Sequence, residues 1–185
     1  MTSARRYDPG RRDRIIDACL EVIAEVGVAG ASHRRIAERA DVPLGSMTYH
    51  FRGIDELLRE AFERFTDSMS ARFAARLAGD LDHDAAIRAV ADLIEQDVFV
   101  TRRDLVLTHE LYTLAARDEA FRAVTNRWMR RSRDTLSAHF DPATALMIDA
   151  LIEGLTIHAA LDTEPRDPAI TSEAVRRLAS KSEPD

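Results

Sequence analysis

Seven glycines and six prolines are all that punctuate 185 residues, and the long stretches between them repeat their apolar residues every three to four positions. That period belongs to helices packed on one face; strands alternate every second residue and need frequent turn signals. No alternating run with hairpin punctuation occurs, so the chain is predicted to be all-α. A first helix is expected over about Arg11 to Val26, with Ile16, Leu20 and Ile23 as its stripe, and Gly27 is placed to end it in a left-handed conformation. Short helices follow over about His33–Ala40, capped by Ser32, and about Leu44–Phe51. A long helix over Ile54–Leu77 carries the stripe Leu58, Phe62, Phe65, Met69 and Phe73. After a polar break at Gly79–Asp84, helices are expected near 84–100, 102–116, 118–140, 142–161 and 168–180. The architecture predicted is an N-terminal three-helix unit with helix-turn-helix form, residues 1–53, joined by the long helix to a C-terminal helical bundle, residues 54–185.

Composition narrows the class of function. Apolar residues at 45% and charged residues at 31% describe a chain with a real core. No uninterrupted apolar run approaches the roughly 18 residues that cross a bilayer, and the polar N-terminus lacks a signal-like apolar region. One cysteine, Cys19, excludes a disulfide framework or a Cys-rich zinc site, and its place on an apolar stripe predicts a buried thiol. A cytoplasmic protein with no membrane partner is expected. The six histidines are scattered without metal-ligand spacing, and His109-Glu110 begins a zinc-protease motif in which Thr113 stands where the second histidine belongs. No phosphate loop, nucleophile elbow or dinucleotide fingerprint occurs. No catalytic residue, metal or cofactor is therefore predicted.

The net charge of −6 is unevenly spread. Residues 1–52 hold nine arginines against seven acids, and the rest holds 17 basic residues against 25 acids. A basic head on an acidic body allows local contact with a polyanion. Arg34 and Arg35 sit in the first turn of the His33 helix, where the macrodipole disfavours cations. A phosphate at that end would reverse the sign of the interaction. The next helix, Gly45-Ser46-Met47-Thr48-Tyr49-His50, is built from poor or middling helix formers. Small and polar groups at Gly45, Ser46 and Thr48 would allow close approach to base edges. Tyr49, His50 and Arg52 carry donors suited to phosphate oxygens, while Met47 and Phe51 would anchor the helix. Ser32, Arg34, Arg35, Gly45, Ser46, Thr48, Tyr49, His50 and Arg52 are thus the candidate DNA-binding residues.

From Arg14 to Leu58 the chain resembles the DNA-binding domain of the TetR family of bacterial transcriptional regulators. The matching residues run Ile15-Ile16-Asp17-Ala18, Ile23-Ala24-Glu25-Val26-Gly27, Ser32, Arg35-Ile36-Ala37-Glu38-Arg39-Ala40-Asp41-Val42, Gly45 to Phe51, and Asp55-Glu56-Leu57-Leu58. Four positions depart from the usual pattern. Asp41 replaces a common glycine, Pro43 a capping serine or threonine, Thr48 a frequent tyrosine, and Ile54 a frequent lysine. The resemblance implies a homodimeric repressor that binds double-stranded operator DNA carrying an inverted repeat and leaves it when a small molecule enters the body of each subunit. A helical protein-interaction adaptor with a degenerate head is the competing reading.

In the body, the stretch Pro142–Leu161 is apolar over most of its circumference, with Asp149, Glu153 and Thr156 as a polar stripe. A helix so apolar needs a second covering besides its own domain. Ala143, Met147, Ala150, Leu151, Gly154 and His158 share one face, and the resemblance implies that the last long helices of two subunits pair there. Among large groups with a few polar neighbours, Phe99, His109, Tyr112, Phe121 and Trp128 are the candidate effector-binding residues. The lining they would form favours a mostly apolar or aromatic effector held by one or two hydrogen bonds. Leu58 and Phe73 lie about 22 Å apart on the long helix, which makes it a link between head and bundle.

Overall fold

A computed structural model of the chain describes residues 8–97, 101–164 and 167–180. Among these residues there are nine α-helices and no strand. They are α1 (Arg11–Gly30), α2 (His33–Arg39), α3 (Gly45–His50), α4 (Ile54–Arg76), α5 (His83–Asp92), α6 (Arg102–Ala115), α7 (Glu119–Leu136), α8 (Pro142–Leu161) and α9 (Pro168–Ala179). A π-helical turn, Leu93–Asp97, extends α5. The all-α expectation holds, and the element ends fall where local chemistry puts them. Ser32, Asp82, Thr101, Asp118, Asp141 and Asp167 each accept a backbone N–H at the start of a helix. Asp41 adopts the left-handed region, φ +51°, and so does the work of the glycine it replaces.

Gly27 breaks α1 with φ +71° and ψ 171°, a conformation that only glycine adopts without strain. The break turns the Val28 N–H outward, and it donates to Glu110 Oε2 of α6 at 3.2 Å. A Cβ at Gly27 would lie 2.6 Å from Glu110 Oε1, so the residue's smallness also makes room for that carboxylate. The end of α1 is thereby fastened to α6.

Two apolar cores result. The first joins Ile15, Ile23, Ile36, Met47, Phe51, Leu57 and Phe62 of the head and α4 to Leu107 and Leu111 of α6 and to Phe121 and Val124 of α7. The second gathers Leu77, Ile87, Val90, Leu93, Ile94, Leu136, Phe140, Ile148, Ile152 and Val175 at the far end. The head's interior therefore continues into the body. Cys19 lies in the first core, where burial pushes its thiol up to about 12, outside the range of a reactive thiolate.

On α8, Ala145, Ile148, Ile152 and Thr156 face inward, while Leu146, Met147, Ala150, Gly154, His158 and Leu161 are exposed. By length and composition alone α8 is apolar enough to cross a membrane, a test that core helices of soluble proteins also pass, and Asp149 and Glu153 interrupt its apolar run. Both carboxylates point back toward the body: Asp149 pairs with Arg133 of α7 at 3.2 Å, and Glu153 accepts from Tyr112 of α6.

Candidate functional site

The outer face of the head is formed by α2 and α3. Helix α3 is too short to stand on propensity alone, and Met47 and Phe51 hold it by burial. Arg12 adds its guanidinium 5.0 Å above the Phe51 ring. What remains outward is Gly45, Thr48 and Tyr49, the last 80% exposed. Nothing lies within 4 Å of where a Gly45 side chain would start, so the backbone there is open to a partner. Ser46 departs from the expected set: it is only 8% exposed, because its position in this two-turn helix points it at the head's interior. His50 is half-buried against Tyr49, ring centroids 4.9 Å apart. Burial first, and the positive charges of Arg11 and Arg12 next, lower its pKa.

The two arginines of α2 differ. Arg34 stands free of the surface, its side chain 83% exposed, with Glu38 one turn away at 3.0 Å. Arg35 folds back to donate to the Gly30 carbonyl at 2.6 Å. Ser32 spends its hydroxyl oxygen on the Arg35 N–H as the cap. Arg52 is exposed, and its backbone N–H donates to Glu56 at 2.6 Å, which leaves its guanidinium directed to solvent. Leu44 was not among the expected residues. It precedes α3 with helical backbone angles and is 54% exposed.

The body holds a cavity of about 680 Å³, counted out to its mouth, between α4, α6, α7 and α8. Its walls are Met69, Phe73, Leu93, Tyr112, Trp128, Met129 and Ile152, with Arg72, Ser132, Asp149, Glu153 and Thr156 as the polar members. Of the candidate effector-binding residues, Tyr112 and Trp128 line this cavity, their rings 6.2 Å apart and 25° from parallel. Trp128 also meets Phe65 edge-on at 6.1 Å. Phe121 does not reach the cavity, because it sits two turns before Trp128 and packs against Phe62 in the first core, centroids 6.1 Å apart. His109 is also outside the walls, with Nδ1 donating to the Leu105 carbonyl at 2.8 Å. Phe99 lies outside the described residues.

The polar stripe of α8 is the cavity's third wall. Asp149 is compensated by Arg133, and Arg72 by the buried Asp104 at 3.0 Å. Among the described residues, Glu153 is hydrogen-bonded by the Tyr112 hydroxyl. Burial chiefly, with help from Asp149, raises its pKa above the usual carboxylate range, against the opposing pull of the Tyr112 hydrogen bond and His109. Tyr112 is itself raised, first by burial and then by the Glu153 charge.

Similarity to known proteins bears on both regions. Residues 15–61 match the family described as bacterial regulatory proteins, tetR family, and residues 81–181 match a tetracyclin repressor-like C-terminal domain. The HTH-type transcriptional regulator BetI of Burkholderia cenocepacia is 28% identical over 166 residues, covering 85% of this chain and 86% of that protein. The crystal structure of SCO7518 from Streptomyces coelicolor A3(2) is 58% identical, with a TM-score of 0.89 over 94% of this chain and 100% of that one. The multidrug binding protein EbrR in complex with ethidium is 35% identical, with a TM-score of 0.76 over 93% of this chain and 99% of that one. EbrR has also been solved with malachite green and with proflavin. With both halves of the chain matched and the fold shared over nearly its whole length, the protein belongs to the TetR family and is a ligand-responsive, DNA-binding transcriptional regulator.

Proposed function

We propose that the chain acts in the cytoplasm as a homodimeric repressor, with residues 1–53 gripping an inverted-repeat operator and residues 54–185 binding an effector and the second subunit. The effector is a lipophilic aromatic cation. The observation that carries this is Glu153, a half-buried carboxylate hydrogen-bonded among the described residues by the Tyr112 hydroxyl, in a cavity walled by Tyr112, Trp128 and Phe73. A ring system stacks on Trp128, and its positive charge meets Glu153 in place of the Tyr112 hydroxyl. The apolar effector expected from the aromatic residues is thus refined to one bearing positive charge. Ethidium, malachite green and proflavin, which EbrR holds, are aromatic cations, and this agrees with the reading.

Release follows from what Tyr112 is attached to. Its helix, α6, also carries Glu110, fastened to the end of α1, and Leu107 and Leu111 of the head's core. A ligand that prefers one placement of α6 biases the head by its difference in affinity between the two placements. The sequence reading gave this role to α4 alone; the contacts of α6 support a second route.

For the dimer, the exposed face of α8 supplies Ala143, Met147, Ala150, Gly154 and His158, with Leu151 half-buried beside them. Leu146, Leu161 and Ile170 extend the same apolar surface. Such a surface needs a cover, and the small residues let a second α8 approach closely. On the head, Arg34, Tyr49, Thr48, Gly45, His50 and Arg52 are the proposed contacts.

Three measurements check these assignments. Ethidium, whose charge does not titrate, is expected to bind Glu153→Gln roughly ten-fold or more weakly than the parent by fluorescence at neutral pH. Because the Glu153 pKa is raised, acidification protonates it before the exposed carboxylates. Parent affinity therefore falls as pH drops through that raised value and levels off above it, while Glu153→Gln gives a flatter profile; equal profiles contradict the role. Ala150→Arg is expected to sediment as a monomer while keeping its helical circular dichroism, and a surviving dimer would place the interface elsewhere. Arg34→Ala is expected to weaken binding to all DNA sequences and to lower the slope of log affinity against log salt by about one, with an unchanged slope removing its phosphate contact.

A further inference from the structure

We infer that Leu44 is a specificity-determining residue of the head, reading the C5-methyl group of a thymine in each operator half-site. The inference rests on the placement of α3 in the major groove and adds to it the identity of one base contact.

Leu44 is exposed at a position where a leucine has no structural work to do. It is 54% exposed, whereas the neighbouring anchors Met47 and Phe51 are 0% and 2%. Its backbone angles, φ −53° and ψ −35°, are helical, and its carbonyl accepts the Met47 N–H at 3.0 Å. Leu44 therefore extends α3 by one residue, with Thr48 on the same face four residues on. Beside it, Gly45 leaves the backbone open. The face is thus a leucine side chain, a bare backbone and a threonine at the end of the recognition helix whose first residues meet base edges in this motif.

The chemistry of the groove selects the partner. Four base pairs present acceptors and donors on their major-groove edges, and thymine alone adds an apolar group, its methyl. Leu44 gains by covering that methyl. Against a G·C pair it would bury the guanine acceptors and the cytosine amino donor with nothing to pair them, which is penalised. One leucine is far too small a patch for a protein partner, since stable interfaces bury on the order of 800 Å² a side. The helix that presents it is also the one with an exposed tyrosine and flanking arginines.

The test uses the full-length protein and the inverted repeat it enriches from random duplex DNA. Each thymine of one half-site is replaced in turn by deoxyuridine, which removes only the methyl. The parent is expected to lose about four-fold in affinity at one thymine, the value of one buried methyl. Leu44→Ala, with an unchanged thermal melt, is expected to bind the thymine duplex more weakly and to show no further loss on the uracil duplex. Leu44→Met, which keeps an apolar side chain of similar length, restores the uracil penalty. An equal uracil penalty in parent and Leu44→Ala, or no penalty at any thymine, overturns the inference while leaving DNA binding intact. Failure of the parent to enrich any sequence overturns the groove placement and this inference together.

Discussion

Phe62 of α4 is fully buried where head and body meet, with the Phe121 ring edge-on at 6.1 Å and Leu107 and Leu111 in the same core. Head and body share this interior. Close-packed cores change by switching between arrangements, not by stretching, so a head that shares its core with α6 and α7 responds when those helices shift. Helix α6 is divided among three surfaces by its own turn. Leu107 and Leu111 face the head core, Glu110 reaches the Val28 N–H at the Gly27 break, and Tyr112 faces the cavity. Residues two positions apart therefore touch the ligand site and the DNA-binding unit.

The second constraint is a cost. Helix α8 is apolar on its outer face as well as where Ala145, Ile148 and Ile152 enter the core, and its acidic stripe is turned to the body, unlike an ordinary surface helix. Asp149 and Glu153 face the body, where an isolated carboxylate is expensive. Arg133 offsets the first and Tyr112 only partly offsets the second. The proposed cationic effector would complete that compensation. Met147, Leu146 and Leu161 are exposed on the outer face of α8, the surface proposed to be covered by a second α8.

Much of this was legible in the sequence because it is local. Helix starts follow from Ser32 and from aspartates placed one residue before each turn, and the α1 break from Gly27. The inward face of α3 followed from Met47 and Phe51. Direction was harder. Periodicity put Asp149, Glu153 and Thr156 on one stripe of α8, yet nothing local tells whether a stripe faces water or a cavity. Phe121 and Trp128 share a helix and a hydrophobic character, but two turns of separation send one to the head core and the other to the ligand site. Ser46 was misjudged for a related reason: polar was taken as outward, whereas a two-turn helix held by Met47 and Phe51 turns Ser46 inward and leaves Leu44, given no role from the sequence, exposed.

The central claim is that ligand site and DNA site share one equilibrium through α6 and α4. It is tested most directly by titrating malachite green, whose twisted rings do not slide between base pairs, into the protein alone and into the protein saturated with its operator duplex, with duplex alone as the blank. Linkage requires reciprocity. The account predicts weaker dye binding on DNA, by the same factor by which saturating dye weakens operator binding. Equal dye affinity in the two titrations would contradict it.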